Sequence, residues 1–334
     1  FERDGVSNTS DCAWKFATAN AVKTLPDREG RLMMFLITRL WVLGIVGLLL
    51  AVGVANGQSE TTKFEVVAEL AGPAELVHVQ RERVYVAGGH SFTAFDVSDP
   101  FNPKEVSSYT FPEEIWGFRL TDDRAYIGAN FFGLGILDIS HPEQLTLIGQ
   151  HKTLGQTKIG AVVDSKVGII DHMEGFVLVD ITDETVPASI GSFFLDGYAR
   201  DVVTAGAMAY ATDSPSGLYV FDLTRPGMPE PVGVVHAPNA PRDIDVIPGS
   251  VNRPTLLVGA GGGNVQIYDV SDPSAPVKLS AVETPGRASR VSVYEDYVFV
   301  ADSESGIQIV DLSSPDAPIL LDSVETSRPV RDIS

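Results

Sequence analysis

Six times along this 334-residue chain an aspartate is followed by an aliphatic residue, then Ser or Thr, then a turn. The copies are DVSDPFNP from Asp96, DISHPEQL from Asp138, DITDETVP from Asp180, DLTRPGMP from Asp222, DVSDPSAP from Asp269 and DLSSPDAP from Asp311. Successive aspartates stand 42 residues apart, with one interval of 47. A fixed period near 40 restricts the chain to a repeat architecture. Within a unit, segments such as SRVSVY, YVFVAD, GIQIVDLS and PILLDSVET alternate apolar with polar residues, favour Val, Ile and Tyr, and are separated by turn residues. No persuasive helical rhythm follows the first 60 residues, so helical solenoids of similar period are disfavoured. Four strands in about 42 residues is the content of one propeller blade, and the expected fold is an all-β propeller of four-stranded blades.

The repeat also sorts scaffold from candidate chemistry. An activity needs one site, so a residue present in every blade is structural. Each repeated Asp ends a third strand, where its carboxylate can accept a backbone N–H of the turn ahead. Five residues earlier stand Ser91, Gly133, Gly175, Gly217, Asn264 and Gly306, turn formers that suit a tight entry into that strand. The interval of 47 is explained by a longer loop, VIPGSVNRPTLLV, between the first two strands of the fifth unit.

The third strands GIQIVD, GFVLVD, GLYVFD, NVQIYD, GLGILD and SFTAFD resemble the LVIVD repeat of bacterial and archaeal secreted or surface proteins. The likeness runs from about Glu75 to the last residue. It implies a propeller and an exported location, and it carries no catalytic motif.

Six complete blades are visible. The final residues RPVRDIS repeat the openings YARDVV and APRDID, with Arg331-Asp332 matching Arg200-Asp201 and Arg242-Asp243. They are expected to begin a seventh unit. KFEVVAELAGPAE, from Lys63 to Glu75, resembles a fourth strand and its exit turn. The expected parent is therefore an incomplete seven-bladed ring, C-terminally truncated, with eight blades or a six-bladed ring with a frayed tail as the alternatives.

Ahead of the repeats, Met33 and Met34 precede a segment carrying Arg39, then the fifteen-residue run LWVLGIVGLLLAVGV, then small residues in VANGQS. This is the plan of a secretory signal over 33–57, the competing reading being a retained anchor. Fifteen apolar residues fall short of the roughly 20 that span a bilayer, so no stable membrane insertion is expected after cleavage. Residues 1–32 are polar, hold the only cysteine, Cys12, and read as an upstream or disordered leader. The propeller is assigned to 58–334, in a protein that is secreted, periplasmic or on the cell surface. Without Cys12 it has no thiol for a disulfide, a nucleophile or a metal.

A net charge of −20 opposes nucleic-acid binding, which depends on Lys and Arg displacing counterions. Binding residues are expected where blades differ, in the loops joining blades and those joining second to third strands, which emerge on one face around the channel. They supply His90, Trp116, Phe131, His172, Glu174, Tyr198, Arg200, Asp213, Arg242, Arg290 and Asp302. Aromatics can stack on sugars and arginines can fork to carboxylates, so the ligand is expected to be a glycan, peptide or protein. Trp116 and Phe131 equally fit interblade packing, and the Arg-Asp pairs fit interblade ion pairs. The histidines come from different blades without ligand spacing, and neither a metal nor a cofactor is expected. Motifs of hydrolases, metalloproteases and nucleotide binders are absent, and GAGGGN leads into a strand, as a turn would. The first reading is an extracellular interaction module. The alternative is a hydrolase or lyase on a sugar or acidic polymer, with Glu174 or Asp302 as acid or base and Arg200 or Arg242 holding substrate.

Overall fold

The structure, a computed structural model, describes residues 75–324 with their side chains, apart from 100, 215, 237–240, 250–254 and 304. It also describes the backbone of strands within 21–71. That earlier part forms one antiparallel sheet, β1 (Ala21–Pro26), β2 (Leu32–Leu40), β3 (Ile45–Val54) and β4 (Lys63–Ala71), in sequential order. Six four-stranded blades follow. Blade one holds β5 (Leu76–Gln80), β6 (Arg83–Gly88), β7 (Ser91–Asp96) and β8 (Lys104–Thr110). Blade two holds β9 (Ile115–Leu120), β10 (Arg124–Ala129), β11 (Gly133–Asp138) and β12 (Thr146–His151). Blade three holds β13 (Thr157–Val163), β14 (Lys166–Asp171), β15 (Gly175–Asp180) and β16 (Ala188–Phe193). Blade four holds β17 (Tyr198–Ala205), β18 (Met208–Ser214), β19 (Gly217–Asp222) and β20 (Pro231–His236). Blade five holds β21 (Asp243–Ile247), β22 (Leu256–Gly261), β23 (Asn264–Asp269) and β24 (Val277–Glu283). Blade six holds β25 (Arg290–Tyr294), β26 (Tyr297–Ala301), β27 (Ile307–Asp311) and β28 (Ile319–Val324).

The first strand of each blade lies innermost. Neighbouring inner strands meet in the order β5, β9, β13, β17, β21, β25, and β1 lies against both β25 and β5. Lys63–Ala71 takes the fourth position of its sheet, as its likeness to other fourth strands led us to expect. The apolar run read as a leader lies largely in β3, and the segment holding Arg331-Asp332 is outside the described residues.

Each blade is apolar on both faces of its middle strands, so every seam between blades has its own core. Phe92, Phe111, Ile115 and Ile127 fill the seam of blades one and two, and Leu134, Ile159 and Val177 that of two and three. Phe176 stacks on Phe221 between three and four, at 4.2 Å between centroids. Tyr210 and Tyr268 meet between four and five, and Val258 and Val300 between five and six. Burying each such side chain contributes about 1.5–3 kcal/mol.

A second device locks the seams from outside. In every blade a β-bulge shifts the register of the fourth strand, and the residue after the bulge is Ser107, Gly149, Gly191, Gly233, Ser280 or Asp322. The same shift in the first sheet puts Ala68 there. Small residues at this point admit the next blade's third-to-fourth turn. Ser107 Oγ donates to the Pro142 carbonyl at 2.5 Å and Ser280 Oγ to that of Pro315 at 2.6 Å. A Cβ on Gly149 would stand 1.9 Å from the Glu184 carbonyl oxygen.

The glycines expected to open third strands have a conformational reason. Gly133, Gly175 and Gly306 sit at φ of 86°, 84° and 78°, where an L side chain is strained. In blades one and five, where Ser91 and Asn264 occupy the place, Gly89 and Gly262-Gly263 take the positive φ just upstream.

Candidate functional site

The repeated aspartates lie on the face away from the expected binding loops, and each closes a turn. Asp96, Asp138, Asp180, Asp222, Asp269 and Asp311 accept the N–H two residues ahead at 2.7–2.9 Å. Ser140, Thr224 and Ser313 add their hydroxyls at 2.5–2.6 Å. Hydrogen bonds from Ser140, Thr182, Thr224 and Ser313 hold the carboxyls of Asp138, Asp180, Asp222 and Asp311 below the usual range. Ser98 does the same for Asp96 through its backbone and side chain.

The inner strands enclose a channel cavity of about 370 Å³ lined by charge, with Arg119, Lys158 and Arg290 opposed by Asp201, Asp243 and Asp245. The acids bind across seams. Asp201 pairs with Lys158 of blade three at 2.5 Å and accepts the Ile244 N–H of blade five at 3.2 Å. Asp243 pairs with Arg290 of blade six at 2.6 Å and accepts the Val291 N–H at 2.8 Å. Asp245 accepts the Val293 N–H at 2.9 Å. Burial and the Asp201 charge outweigh Arg290 and push the Asp243 carboxyl up to about 7. Lys158, Arg119 and Arg290 offset burial at Asp201 and bring it down to about 2. Of the Arg-Asp openings read as interblade ion pairs, the aspartates form such pairs, but with Lys158 and Arg290 of other blades, and Arg200 and Arg242 take no part in them. The inner strands also need a missing side chain: a Cβ on Gly160 would sit 2.2 Å from the Val202 carbonyl oxygen.

At the channel mouth the expected binding residues separate into two groups. Asp213 and Asp302 are fully buried and lie beneath the rim. Asp213 accepts the Gly197 N–H at 2.8 Å, and Asp302 accepts the Gly286 N–H and the Thr284 hydroxyl at 2.7 Å. Asp171 holds Gly155 in the same way at 2.8 Å. All three lie within one residue of the end of a second strand and pin the loop arriving from the preceding blade. Placing Asp213 and Asp302 on a binding surface is therefore corrected, because both are fully buried and hold backbone N–H groups of the scaffold, Asp213 through Oδ2 with its Oδ1 left without a hydrogen-bond partner among the described residues. Arg290 moves from rim to channel through its pair with Asp243. Glu174 Oε2 accepts the Leu154 N–H at 3.0 Å, and the His90 Nδ1 position is 3.2 Å from the Phe111 carbonyl.

The remaining residues stay on the surface. Trp116 is 36% exposed and meets His172 edge-on at 5.8 Å. Burial, reinforced by the Arg200 charge, lowers the His172 pKa against the opposing pull of Asp171. Tyr198 is 67% exposed with the Arg200 guanidinium 5.6 Å above its ring, and Phe131 is half exposed. Arg242 is exposed. Residue-by-residue reading missed Leu154, Met173 and Phe194, each more than 60% exposed in loops beside these aromatics. It also missed Arg287, exposed in the loop before β25. Their signal was present, since all lie in loops of the right class.

Concentric inner strands, sequential four-stranded sheets and seam cores define a β-propeller. The LVIVD repeat model matches residues 71–111, 119–153, 196–236, 257–284 and 285–326, more than half of the chain, and the protein belongs to the LVIVD-repeat family. Blade three lies outside the matched segments despite its GFVLVD strand. No curated protein gave a significant match. Solved structures give the fold. Saccharomyces cerevisiae Sqt1 superposes with a TM-score of 0.66 at 10% identity, over 95% of this chain and 87% of that one. The Pseudomonas aeruginosa periplasmic gluconolactonase gives 0.64 at 14%, over 84% and 93%. AztD of Citrobacter koseri gives 0.57 at 13%, over 92% and 87%.

Proposed function

We propose that this protein is an exported interaction module that docks a partner protein on the channel face of blades two to four. One observation carries the reading. Every large exposed apolar side chain on that face among the described residues, namely Trp116, Phe131, Leu154, Met173, Phe194 and Tyr198, belongs to those blades or the loops joining them. The corresponding loops of blades one, five and six hold none among the described residues. Clustered exposed apolar surface marks an interaction site. Leu154, Met173 and Phe194 suit peptide side chains better than a glycan, whose hydroxyls would lose water against aliphatic groups. The hydrolase or lyase alternative gains no support, because Asp302 is enclosed and Glu174 is engaged by a backbone N–H.

Export is supported by the leader-like order of residues 33–57, by the family, and by sharing a fold with a periplasmic enzyme. Cleavage within VANGQS would release β1–β3 and retain β4; the intact mass of protein recovered outside the cytoplasm reads this directly. Docking is tested by panning a random dodecapeptide phage library on the purified protein. Trp116→Ala and Phe194→Ala should each weaken a selected peptide about 30-fold, the effect of losing an anchor worth about 2 kcal/mol. Failure to enrich any peptide, or full binding by both variants, overturns the proposal.

A further inference from the structure

The apolar arc continues into a second feature of opposite chemistry. Arg200 is the third residue of β17, Arg242 immediately precedes β21, and Arg287 lies three residues before β25. These inner strands are neighbours in the ring, so the three arginines stand on successive blades around one channel mouth. All three are exposed, and none forms an ion pair among the described residues. Their charges act on one another: Arg242 has its pKa lowered by burial and then by Arg287 and Arg200. A chain of net charge −20 has acid to spare for neutralising them, and elsewhere it does so, as in Arg83–Asp96 at 2.6 Å and Arg124–Glu184 at 2.6 Å. Holding three like charges together without counterions raises the energy of the free protein, and an anionic ligand relieves it. The arc and the arginines are continuous, because Arg200 covers the Tyr198 ring and His172 joins Trp116 to the same edge.

Resting on the docking surface proposed above, we infer that the segment it receives is an acidic peptide, with apolar side chains seated on blades two to four and carboxylates forked by Arg200, Arg242 and Arg287. Guanidinium and carboxylate match in two-point geometry, so the arginines set the register and charge of the ligand while the aromatic arc supplies buried area.

Two fluorescein-labelled dodecapeptides test this, sharing one Leu/Phe frame with Glu at the intervening positions in one and Lys in the other. Anisotropy at low salt should show the Glu peptide binding about tenfold tighter, a preference that shrinks in 0.5 M NaCl as the charges are screened. The Arg200→Ala/Arg242→Ala/Arg287→Ala triple variant should erase the preference, whereas Trp116→Ala should weaken both peptides. Equal or tighter binding of the Lys peptide, or a preference that survives the triple variant, overturns the inference. If polygalacturonate binds and the Glu peptide does not, the anion is a polysaccharide and the inference also falls. If library-selected peptides bind without any acidic bias, the docking surface stands and the arginine assignment alone fails. If no peptide binds at all, both fail together.

Discussion

The two faces of the ring use the same amino acid for different ends. On the turn face, Asp96 and its five counterparts make one hydrogen bond pattern in all six blades, with half-buried carboxylates closing local turns. On the channel face, Asp171, Asp213 and Asp302 occur in only three blades and are fully buried, each holding a glycine N–H of the incoming loop. Occurrence in every blade identifies scaffold, but occurrence in some blades does not identify function. The second criterion is exposure. Trp116, Phe194, Tyr198, Arg200, Arg242 and Arg287 pass it, and the partial aspartates do not.

The largest expected effect tests whether the channel belongs with the scaffold. Lys158→Ala leaves Asp201, 3% exposed at its side chain, as an unpaired buried carboxylate. Breaking such a pair costs about 3–5 kcal/mol. The urea midpoint should fall accordingly. A loss under about 1 kcal/mol would show that the inner charges are solvated enough to be available to a ligand, and would move the channel to the functional side of the comparison.

The acids of the two regions should also titrate with opposite sign. Asp243 in the channel is raised from 3.8 to about 7, so between those values the folded protein holds a proton that the unfolded chain lacks. Stability therefore rises as pH falls from 7 towards 4, by up to a few kcal/mol. Asp96, Asp138, Asp222 and Asp311 are lowered, and their contribution is present above 3.8 and lost as pH falls through their folded values. The thermal midpoint of the wild type relative to Asp243→Asn should rise as pH falls from 7 towards 4, and a difference that stays constant over that range would contradict the assignment to Asp243.

How much of this was legible beforehand divides along the same line. The period of the D-x-[ST] phrase and the strand alternation sufficed for the blades, because one period-2 strand pattern recurs at fixed spacing. The seam lock was equally written in the chain, as small residues at Ser107, Gly149, Gly191, Gly233 and Ser280, yet it reads as unremarkable until bulge and neighbouring turn are seen together. Rim and channel were not separable, because Arg290 and Arg242 occupy similar places in sequence and only the strand twist and pairing decide that one pairs with Asp243 and the other does not. Sidedness at a bulged strand start, such as Ala199/Asp201, escapes a period-2 reading for the same reason.

That seam lock supplies an intermediate effect. Gly149→Ala and Gly233→Ala would press a methyl to within 1.9 Å and 2.2 Å of the Glu184 and Pro273 carbonyl oxygens, costing about 1–3 kcal/mol by overpacking. Ser107→Ala and Ser280→Ala lose one hydroxyl donor each to Pro142 and Pro315, about 0.5–1.5 kcal/mol. Urea midpoints should rank the glycine variants below the serine ones. Equal losses would mean that the turns dock by hydrogen bonding and not by close approach.

The smallest stability effect is expected where the functional argument is strongest. Arg200→Ala removes a guanidinium stacked over an exposed ring and unpaired with any acid among the described residues, so its folding cost should lie within about 0.5 kcal/mol. A null change in the urea midpoint, with altered peptide binding, is what a surface kept for recognition requires. A loss above about 1 kcal/mol would instead make Arg200 part of the seam between blades three and four, since mutual repulsion with Arg242 offers no stabilising role to lose. In that case the arginines would join the buried aspartates on the scaffold side, and exposure would cease to separate the two classes.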